Sequence, residues 1–225
     1  MSDDFFKTAR ENMILGQLVP HRISNQTVLS GMMNVPRERF LPERKRTLAY
    51  ADEAVFLKNK RFLFEPLILA RLLQAADVQS DDLVLNLQCA TGYTSVLLAK
   101  TAQAVVAVED DSEMNYNAQE ILIDMKIDNV ALFDSKPKDG FPAQAPYDLI
   151  FIDGIVPFLP ENLFDQLAEG GRLVCVLAEP PSQVGNAVKI SKTNGKIIRE
   201  NLFNFLLNSF CRTENYKKFV FDSVS

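Results

Sequence analysis

One stretch of the sequence has the residue types and the spacing of a loop that binds a nucleotide. From Val84 to Tyr93 the chain reads VLNLQCATGY, an apolar run followed by small and polar residues. This is the skeleton of a G-x-G-x-G loop in which Gly92 is kept, while Gln88 and Ala90 replace the other two glycines. Glycines in such loops allow positive φ and let the backbone approach the ligand closely. The chain therefore has the frame of a nucleotide loop without its full set of glycines.

An acidic residue follows at the distance expected for a ribose contact. Glu109 ends the next apolar run, 21 residues after Gln88, and an acid at about that offset hydrogen-bonds ribose hydroxyls in dinucleotide sites. The residues alone leave a second interpretation open, in which Glu109, Asp110 and Asp111 cap the helix that follows. The pattern indicates an adenosine-type ligand, or a plain helix start.

Two other carboxylates are candidates for contact with a substrate. Asp153 ends a later apolar run, where it could position an amine or a hydroxyl or act as a base; alternatively it caps the loop. Glu65 precedes Pro66 and could touch substrate, although an acid there also suits the first turn of a helix. We interpret Cys89 as a small packing residue, because no cationic neighbour in the sequence favours its thiolate.

The elements that must position these residues follow an alternating pattern from residue 82 onward. Short apolar runs alternate with helical segments, which is typical of a parallel sheet buried on both faces. Ligands bind such sheets at the carboxyl ends of the strands, where the loop, Glu109 and Asp153 fall. The predicted strands are 83–87, 104–108, 130–133, 149–152 and 173–177, and the predicted helices between them are 93–101, 112–126 and 160–168.

The two ends of the chain differ from this alternating part. Apolar spacing, a cap at Asn25 and Pro66 in a first turn predict helices over 3–17, 25–34 and 65–77. Asn194-Gly195 predicts a hairpin between 187–191 and 196–199, and 218–221 is a predicted last strand.

A parallel core with antiparallel edge strands is the plan of an α/β protein of the class I S-adenosylmethionine (SAM) methyltransferase type, with a Rossmann-like sheet. We expect a helical N-terminal cap and substrate-side segment over 1–78 and the methyltransferase-type domain over 79–225, together forming one structural unit.

Composition excludes several classes of protein. The chain has 225 residues, of which 47% are hydrophobic and 24% charged, as in a packed globular protein. Its 9 glycines are about 4% of the residues, below the roughly 7% of average proteins. A net charge of −5 argues against nucleic acid or an anionic membrane as partner, and we interpret the basic run 37–46 as solvated surface.

We expect a cytoplasmic protein, because no membrane span or secretory signal is evident. His21, the only histidine, and three scattered cysteines form no metal-ligand set.

Several stretches resemble the protein-L-isoaspartate O-methyltransferase family over nearly the whole chain. VPRERFLP and AYAD precede the nucleotide domain and are specific to this family. The resemblance implies SAM as cofactor, bound at Thr91, Gly92, Tyr93 and Glu109, and methyl transfer to an isoaspartyl carboxylate of damaged protein, a repair reaction. The matching stretches are 35–42 (VPRERFLP), 49–52 (AYAD), 65–66 with the helix that follows, 84–93, 145–150 (APYDLI) and 166–174 (QLAEGGRLV).

The chain departs from this family at its cofactor and substrate motifs. Phe64 stands where the I-S-x-P element has a serine at the substrate carboxylate, and Asn86 replaces the acid of the strand-end motif. Ser135-Lys136-Pro137 falls where a G-D-G acid approaches the adenine. The L-x-E-P form and the C-x-T-G-Y part of the loop resemble a divergent branch seen in alphaproteobacteria. Together with Gln88 and Ala90, these changes predict a SAM site that is weakened or lost.

Three functions remain open from the sequence. The first is SAM-dependent methyl transfer to a protein or peptide carboxylate. The second is a catalytically inactive pseudo-methyltransferase that acts as a binding or scaffold protein, and the third is a methyltransferase for a different acceptor. A nicotinamide oxidoreductase lacks support, since no proton-relay histidine or Tyr–Lys pair is recognisable. The oligomeric state is not predicted.

Overall fold

The computed structural model of the chain describes residues 3–178 and 182–207. Helices and short strands come first, and an alternating strand–helix pattern follows. In chain order the elements are α1 (Asp3–Met13), α2 (Gln26–Asn34), β1 (Val55–Phe56), β2 (Phe62–Leu63), α3 (Pro66–Ala76), β3 (Leu83–Leu87), α4 (Tyr93–Ala99), β4 (Ala104–Glu109), α5 (Ser112–Asp124), β5 (Val130–Asp134), β6 (Tyr147–Val156), α6 (Asn162–Asp165), β7 (Leu167–Leu177), β8 (Val184–Thr193) and β9 (Lys196–Leu206).

The main sheet of the described residues has seven strands in the order β5-β4-β3-β6-β7-β8-β9. The strands from β5 to β7 run parallel, whereas β8 and β9 are added antiparallel at one edge. Strand β3 is the first strand of this sheet in the sequence and lies in its middle. Strands β4 and β5 are added on one side of β3, and β6 to β9 are added on the other side. The crevice above the carboxyl end of β3 is therefore the topological switch point, where α/β proteins bind ligands.

Alternate residues of the central strands point into two separate apolar layers, as the sequence pattern predicted. Val84 and Phe151 belong to the layer shared with the N-terminal helices and α4, whereas Leu85 and Ile152 belong to the opposite layer. Both layers are fully buried in the centre of the sheet. Because each strand is apolar on both faces, only its carboxyl end is free to carry polar side chains.

The helical N-terminal region agrees with the sequence patterns in two of its three helices. The Asn25 side chain accepts hydrogen bonds from the amides of Thr27 and Val28 at 3.0 and 3.2 Å and caps α2, while Pro66 starts α3. The predicted helix over 3–17 is too long, because α1 ends at Met13 and a π-helical turn, Ile14–Leu18, follows it. Pro20, in the next 3-10 turn, lacks the N–H that a continuous α-helix would need.

Other predicted bounds differ in length. Strands β6 and β7 extend well beyond the apolar runs 149–152 and 173–177, and the helix predicted over 160–168 is reduced to the four residues of α6. Leu167 already pairs with Tyr147 in the sheet, so the chain has no room to continue the helix. The Asn194-Gly195 turn joins β8 to β9 with positive φ at both residues, 52° and 70°, as its residue types predicted. Residues 218–221 lie outside the described part.

The interpretation of 37–46 as solvated surface is wrong for 37–41, where every residue except Arg39 is buried. Arg37 is fully buried, and Glu38 is nearly so. Arg37 Nε donates to the carbonyl of Ala49 at 2.7 Å, and its Nη2 donates to the carbonyl of Phe64 at 2.6 Å. These bonds fix both ends of the segment that carries β1 and β2, and the remaining basic residues of the run are more exposed.

Candidate functional site

The loop between β3 and α4 keeps the backbone of a glycine-rich loop although two of its residues are not glycine. Gln88 has φ 58°, Ala90 has φ 49° and Gly92 has φ 86°. A residue with a β-carbon in this left-handed region costs roughly 1–2 kcal/mol relative to the ordinary helical one. Positions 88 and 90 are therefore sites where glycine would be favoured, as the loop pattern predicted, and the remaining contacts of the loop must offset that cost.

Glu109, at the end of β4, is directed into this loop. Its side chain is fully buried, and its Oε2 accepts the amide of Ala90 at 2.9 Å. Its Oε1 accepts the amides of Asp110 and Asp111 at 3.0 and 3.1 Å. Asp111 is the residue that caps α5, through a 2.9 Å bond from the amide of Met114. Of the two sequence interpretations, capping therefore belongs to Asp111, and Glu109 is a buried acceptor beside the loop.

Arg61 completes the environment of Glu109. Its Nε lies 3.1 and 2.9 Å from the two carboxylate oxygens, and its Nη2 lies 2.9 Å from Oε1. The same Nη2 lies 2.6 Å from Asp110 Oδ1. Burial by itself would raise the pKa of Glu109, but the Arg61 guanidinium and the hydrogen bonds outweigh it and lower this pKa below its usual value. The two oxygens receive more hydrogen bonds than a carboxylate has lone-pair sites, so none is left for a ribose.

Arg61 belongs to a turn that the sequence analysis missed. The turn Lys58–Arg61 joins β1 to β2 and lies over the start of α5, where Lys58 pairs with Asp111 at 3.1 Å and with Glu113. Strands of two residues are too short to give a periodic pattern, which explains the omission. A signal was present in the three basic residues of this turn and the acidic run 109–111, and Lys58 and Arg61 pair with that run in the structure.

Two buried acceptors at the site lack hydrogen-bond partners among the described residues. They are Gln88 Oε1 and Asp153 Oδ2. Gln88 Oε1 lies 2.5 Å from the point that a β-carbon on Gly154 would occupy, so this glycine makes room for it. Burial raises the pKa of Asp153 to about 7, against the opposing effects of Thr94 and Arg37. Buried polar groups are normally satisfied, and these acceptors therefore suit a ligand that donates hydrogen bonds.

The other loop residues predicted to bind cofactor use their side chains elsewhere. Thr91 Oγ1 donates to the carbonyl of Phe40 at 2.7 Å. The Tyr93 ring packs edge-on against Phe40, with centroids 5.2 Å apart, and beneath the guanidinium of Arg37; burial raises the pKa of this tyrosine to about 12. Gly92 has no side chain and stands at the start of α4. The side chains of Thr91 and Tyr93 thus join the loop to the N-terminal region.

The position of the family serine is an apolar wall. Phe64 is buried and packs edge-on against Phe62 and Phe205, with ring centroids 5.0 and 6.4 Å apart. Glu65 stands at the N-cap of α3, where its side chain accepts no capping hydrogen bond. Burial raises the pKa of Glu65. Glu65 is thus a half-buried carboxyl group next to Phe64, and its side chain is available for another partner.

Three further observations concern residues singled out by sequence. Cys89 is fully buried, and burial raises the pKa of its thiol well above the usual value, so it is an inert packing residue. His21 is exposed and its Nδ1 lies 2.7 Å from the carbonyl of Gln17. Within residues 3–178 and 182–207, no cluster of three metal-ligating side chains is present, and no helix is long and apolar enough to cross a membrane.

The strand order, the loop after β3 and the acid at the end of β4 define a class I SAM-methyltransferase fold, which confirms the fold expected from sequence. The sequence model of the family described as "Protein-L-isoaspartate(D-aspartate) O-methyltransferase (PCMT)" matches residues 9–207. The chain belongs to this family.

Individual relatives agree with the family assignment. A protein-L-isoaspartate O-methyltransferase of Koribacter versatilis is 34% identical over 197 residues, 88% of each chain. Protein-L-isoaspartate O-methyltransferase 1 of Syntrophobacter fumaroxidans is 32% identical over 79% of this chain and 83% of its own. The enzyme of the same name from Rhodopseudomonas palustris is 33% identical over 88% of this chain and 82% of its own.

Two solved structures share the fold. One, a protein-L-isoaspartate O-methyltransferase, superposes with a TM-score of 0.76 at 22% identity, over 89% of this chain and 65% of that chain. The other is a putative enzyme of this kind from Plasmodium falciparum in complex with S-adenosyl-L-homocysteine, with a TM-score of 0.73 at 22% identity, over 91% of this chain and 97% of that chain.

The Plasmodium falciparum structure contains S-adenosyl-L-homocysteine, and the residues present here fit the two ends of SAM differently. The methionine end of SAM carries an ammonium group, and the unpaired acceptors Gln88 Oε1 and Asp153 Oδ2 suit such a donor. The ribose end needs Glu109, whose oxygens are bound by Arg61. The residues present therefore suit the methionine end of SAM, whereas Arg61 occupies the carboxylate at the ribose end.

Proposed function

We propose that the chain is a SAM-dependent methyltransferase that acts on a carboxylate of a protein or peptide rather than on nucleic acid. The observation that carries the proposal is the pair of unpaired acceptors Gln88 Oε1, directly after β3, and Asp153 Oδ2, at the irregularity of β6 between Phe151 and Ile155. An unpaired buried polar atom costs about 1–3 kcal/mol, and a ligand with an ammonium group would satisfy both. The membership of the chain in its family supports the choice of SAM as that ligand.

The reaction asks little acid–base chemistry of the protein. SAM supplies an activated methyl group when it is bound, and an ionised carboxylate is already nucleophilic. The contribution of this chain is to align the acceptor and to exclude water, for which the apolar wall at Phe64 is suited. Asp153 would hold the ammonium group of the cofactor, and Glu65 would line the part of the site that receives the acceptor carboxylate. Gly92 and the backbone at Thr91 and Tyr93 would shape the loop.

A second candidate is a non-catalytic binding protein. The observation that favours it is the saturation of Glu109 by Arg61 and backbone amides. The loss of a hydroxyl at Phe64 points the same way, because a carboxylate acceptor finds no side-chain donor at that position. In this function the methyltransferase fold would serve as a scaffold for a protein partner.

Calorimetric titration with SAM and S-adenosylhomocysteine separates the two candidates. We expect binding in the micromolar range to the wild type and about 10-fold weaker binding to Asp153→Asn, which removes the charge from the unpaired acceptor. The matched control is Asp128→Asn, an exposed carboxylate before the start of β5 and therefore at the opposite edge of the sheet, which should bind as the wild type does. The absence of binding to folded wild-type protein at millimolar ligand would leave the scaffold function.

Methyl transfer is tested with labelled SAM and a pair of peptides that differ only in an isoaspartyl or a normal aspartyl residue. We expect transfer to the isoaspartyl peptide alone. Transfer to neither peptide, with SAM still bound, would assign the chain to another acceptor.

Three finer features belong to the same proposal. We place the chain in the divergent branch of its family that has L-x-E-P around Phe64. We also propose that residues 1–78 and 79–225 act as one structural unit, which the apolar layer shared by the N-terminal helices and the sheet supports. A cytoplasmic location is supported by free, buried thiols at Cys89 and Cys175, since reducing compartments keep thiols unpaired.

A further inference from the structure

The segment that joins β1 to β2 bears directly on how the cofactor enters. We propose that the turn Lys58–Arg61 is a displaceable strap and that Arg61 occupies the ribose position on Glu109, so that the cofactor binds only when the strap opens. This inference rests on the proposed function, because it concerns the access of SAM to the same site. It makes Arg61 a residue that determines cofactor affinity.

The competition follows from the hydrogen bonds of one carboxylate. A ribose hydroxyl binds an acid through its O–H donor, whereas Arg61 presents two N–H donors to the same oxygens, at 2.9–3.1 Å. The backbone amides of Ala90, Asp110 and Asp111 stay bonded to Glu109 in either case, because they belong to the loop and strand themselves. The guanidinium and the ribose therefore exclude each other at this carboxylate.

The strap is held in place mainly by polar contacts at its tip. Lys58 pairs with Asp111 and Glu113, Asn59 Nδ2 donates to Asp111, and Arg61 also pairs with Asp110. The contacts of Lys58 with Glu113 and of Arg61 with Asp110 involve exposed carboxylates and contribute little individually. The buried Arg61–Glu109 pair is the main contact that opening must break, so the contacts that a bound cofactor makes in the site have to offset its loss.

The residues on both sides of the turn are anchored in the core, so that only the turn itself can change conformation. Leu57 and Phe62 are buried, and the Leu57 amide donates to the carbonyl of Arg61 at 2.8 Å. Between them, Asn59 and Lys60 have φ of 45° and 64°, a left-handed backbone that carries a conformational cost in non-glycine residues. The turn can therefore change conformation between two fixed points without disturbing the core.

An open groove next to the strap provides the space for this change. It has a volume of about 670 Å³ and is lined by Pro42, Arg44, Lys58, Thr91, Glu113 and Asn117. Lys58 belongs both to the strap and to the lining of the groove. Thr91, in the loop between β3 and α4, lines the groove on its other side. A turn that leaves Glu109 has room on this side of the site.

The test compares S-adenosylhomocysteine binding to the wild type, Arg61→Gln and Arg61→Lys by calorimetry. We expect Arg61→Gln to bind at least 10-fold more tightly than the wild type, and Arg61→Lys to lie between them, because lysine keeps the charge but not the bidentate geometry. Arg46→Gln, at an exposed position, is the matched control and should bind as the wild type does. Circular dichroism establishes that each variant is folded.

Hydrogen exchange gives a readout that does not depend on activity. In the wild type, saturating S-adenosylhomocysteine should speed exchange at the amides of Leu57 and Arg61, which are bonded within the closed turn. Equal affinity of wild type and Arg61→Gln, or a turn that stays protected when ligand is bound, would overturn the strap and leave the proposed function intact. If neither protein binds the ligand, SAM dependence fails and the strap as a cofactor gate fails with it.

Discussion

Two buried carboxylates flank the central strand, and their surroundings move their pKa values in opposite directions. Glu109 is bound by Arg61 and three backbone amides, which lower its pKa despite burial. Asp153 has an unpaired oxygen, and burial raises its pKa to about 7. The first is stable as an anion at neutral pH, whereas the second is close to its titration point. At neutral pH the Glu109 carboxylate can therefore hold a cation, and Asp153 would become an anion when a cationic group binds beside it.

This difference predicts a pH dependence of stability at Asp153. Its folded pKa lies above the unfolded value, so its protonation favours the native state, fully at acid pH and progressively less as pH rises toward 7. Relative to Asp153→Asn, the wild type should lose roughly 2–4 kcal/mol of unfolding free energy between pH 4 and pH 8. Urea unfolding at both pH values measures it. An equal change in both proteins would refute the assignment, and Asp128→Asn, at an exposed position, serves as control.

Gly154 offers a second test at the same point. A β-carbon there would lie 2.5 Å from Gln88 Oε1, so Gly154→Ala must displace the glutamine side chain. We expect a stability loss of about 1 kcal/mol, typical of slight overpacking against a flexible group, together with about 10-fold weaker S-adenosylhomocysteine binding. Gly16→Ala is the control, because nothing lies within 4 Å of its added β-carbon. Unchanged affinity in Gly154→Ala would mean that Gln88 does not contact the ligand.

At the scale of elements, the N-terminal helices depend on local signals that can be recognised in the sequence. Asn25 caps α2 with two hydrogen bonds, and Gln74 Oε1 of α3 accepts the amides of Ser24 and Asn25 at 2.8 and 3.0 Å. The start of α2 is thereby tied to the neighbouring helix. This region lies behind the site, and its position sets that of Arg37 and Phe40.

Asn25→Ala should therefore destabilise the protein by about 1 kcal/mol, the usual effect of losing an N-cap side chain. Thermal unfolding followed by circular dichroism measures the loss. Gln26→Ala, one residue further along at an exposed position, should change the stability much less. Equal effects of the two substitutions would contradict a capping role. Ligand affinity should stay unchanged, because α2 does not line the site.

The molecule as a whole shows which features a sequence can reveal. The parallel strands and the loop at Gln88 were predictable, because continuous apolar runs and a loop motif are local patterns. The Arg61–Glu109 contact was not, since it joins residues 48 positions apart through strands too short to be periodic. Arg37 was misassigned for a similar reason. From sequence alone a charged residue is interpreted as solvated. The carbonyls of Ala49 and Phe64, which accept the hydrogen bonds of Arg37, come together only in the folded chain.

Arg37 provides the last prediction, because it connects the N-terminal region to both ends of the strap segment. Its bonds to the carbonyls of Ala49 and Phe64 lie in the core, and burial lowers its pKa. Arg37→Met keeps most of the volume but leaves two buried carbonyls without donors, each worth about 1–3 kcal/mol. We expect a loss of about 2–5 kcal/mol in urea unfolding and faster hydrogen exchange in the strap.

Arg39→Met is the matched control for Arg37→Met. It lies two positions along, and its ion pair with Asp124 is at the surface, with side chains 39% and 65% exposed. A surface pair of this kind contributes about 0–1 kcal/mol, so the control should unfold nearly as the wild type does and leave strap exchange unchanged. If Arg37→Met were as stable as Arg39→Met, the buried guanidinium would not be what fixes the segment 49–64. The strap would then owe its closed position to Arg61 and Lys58 alone.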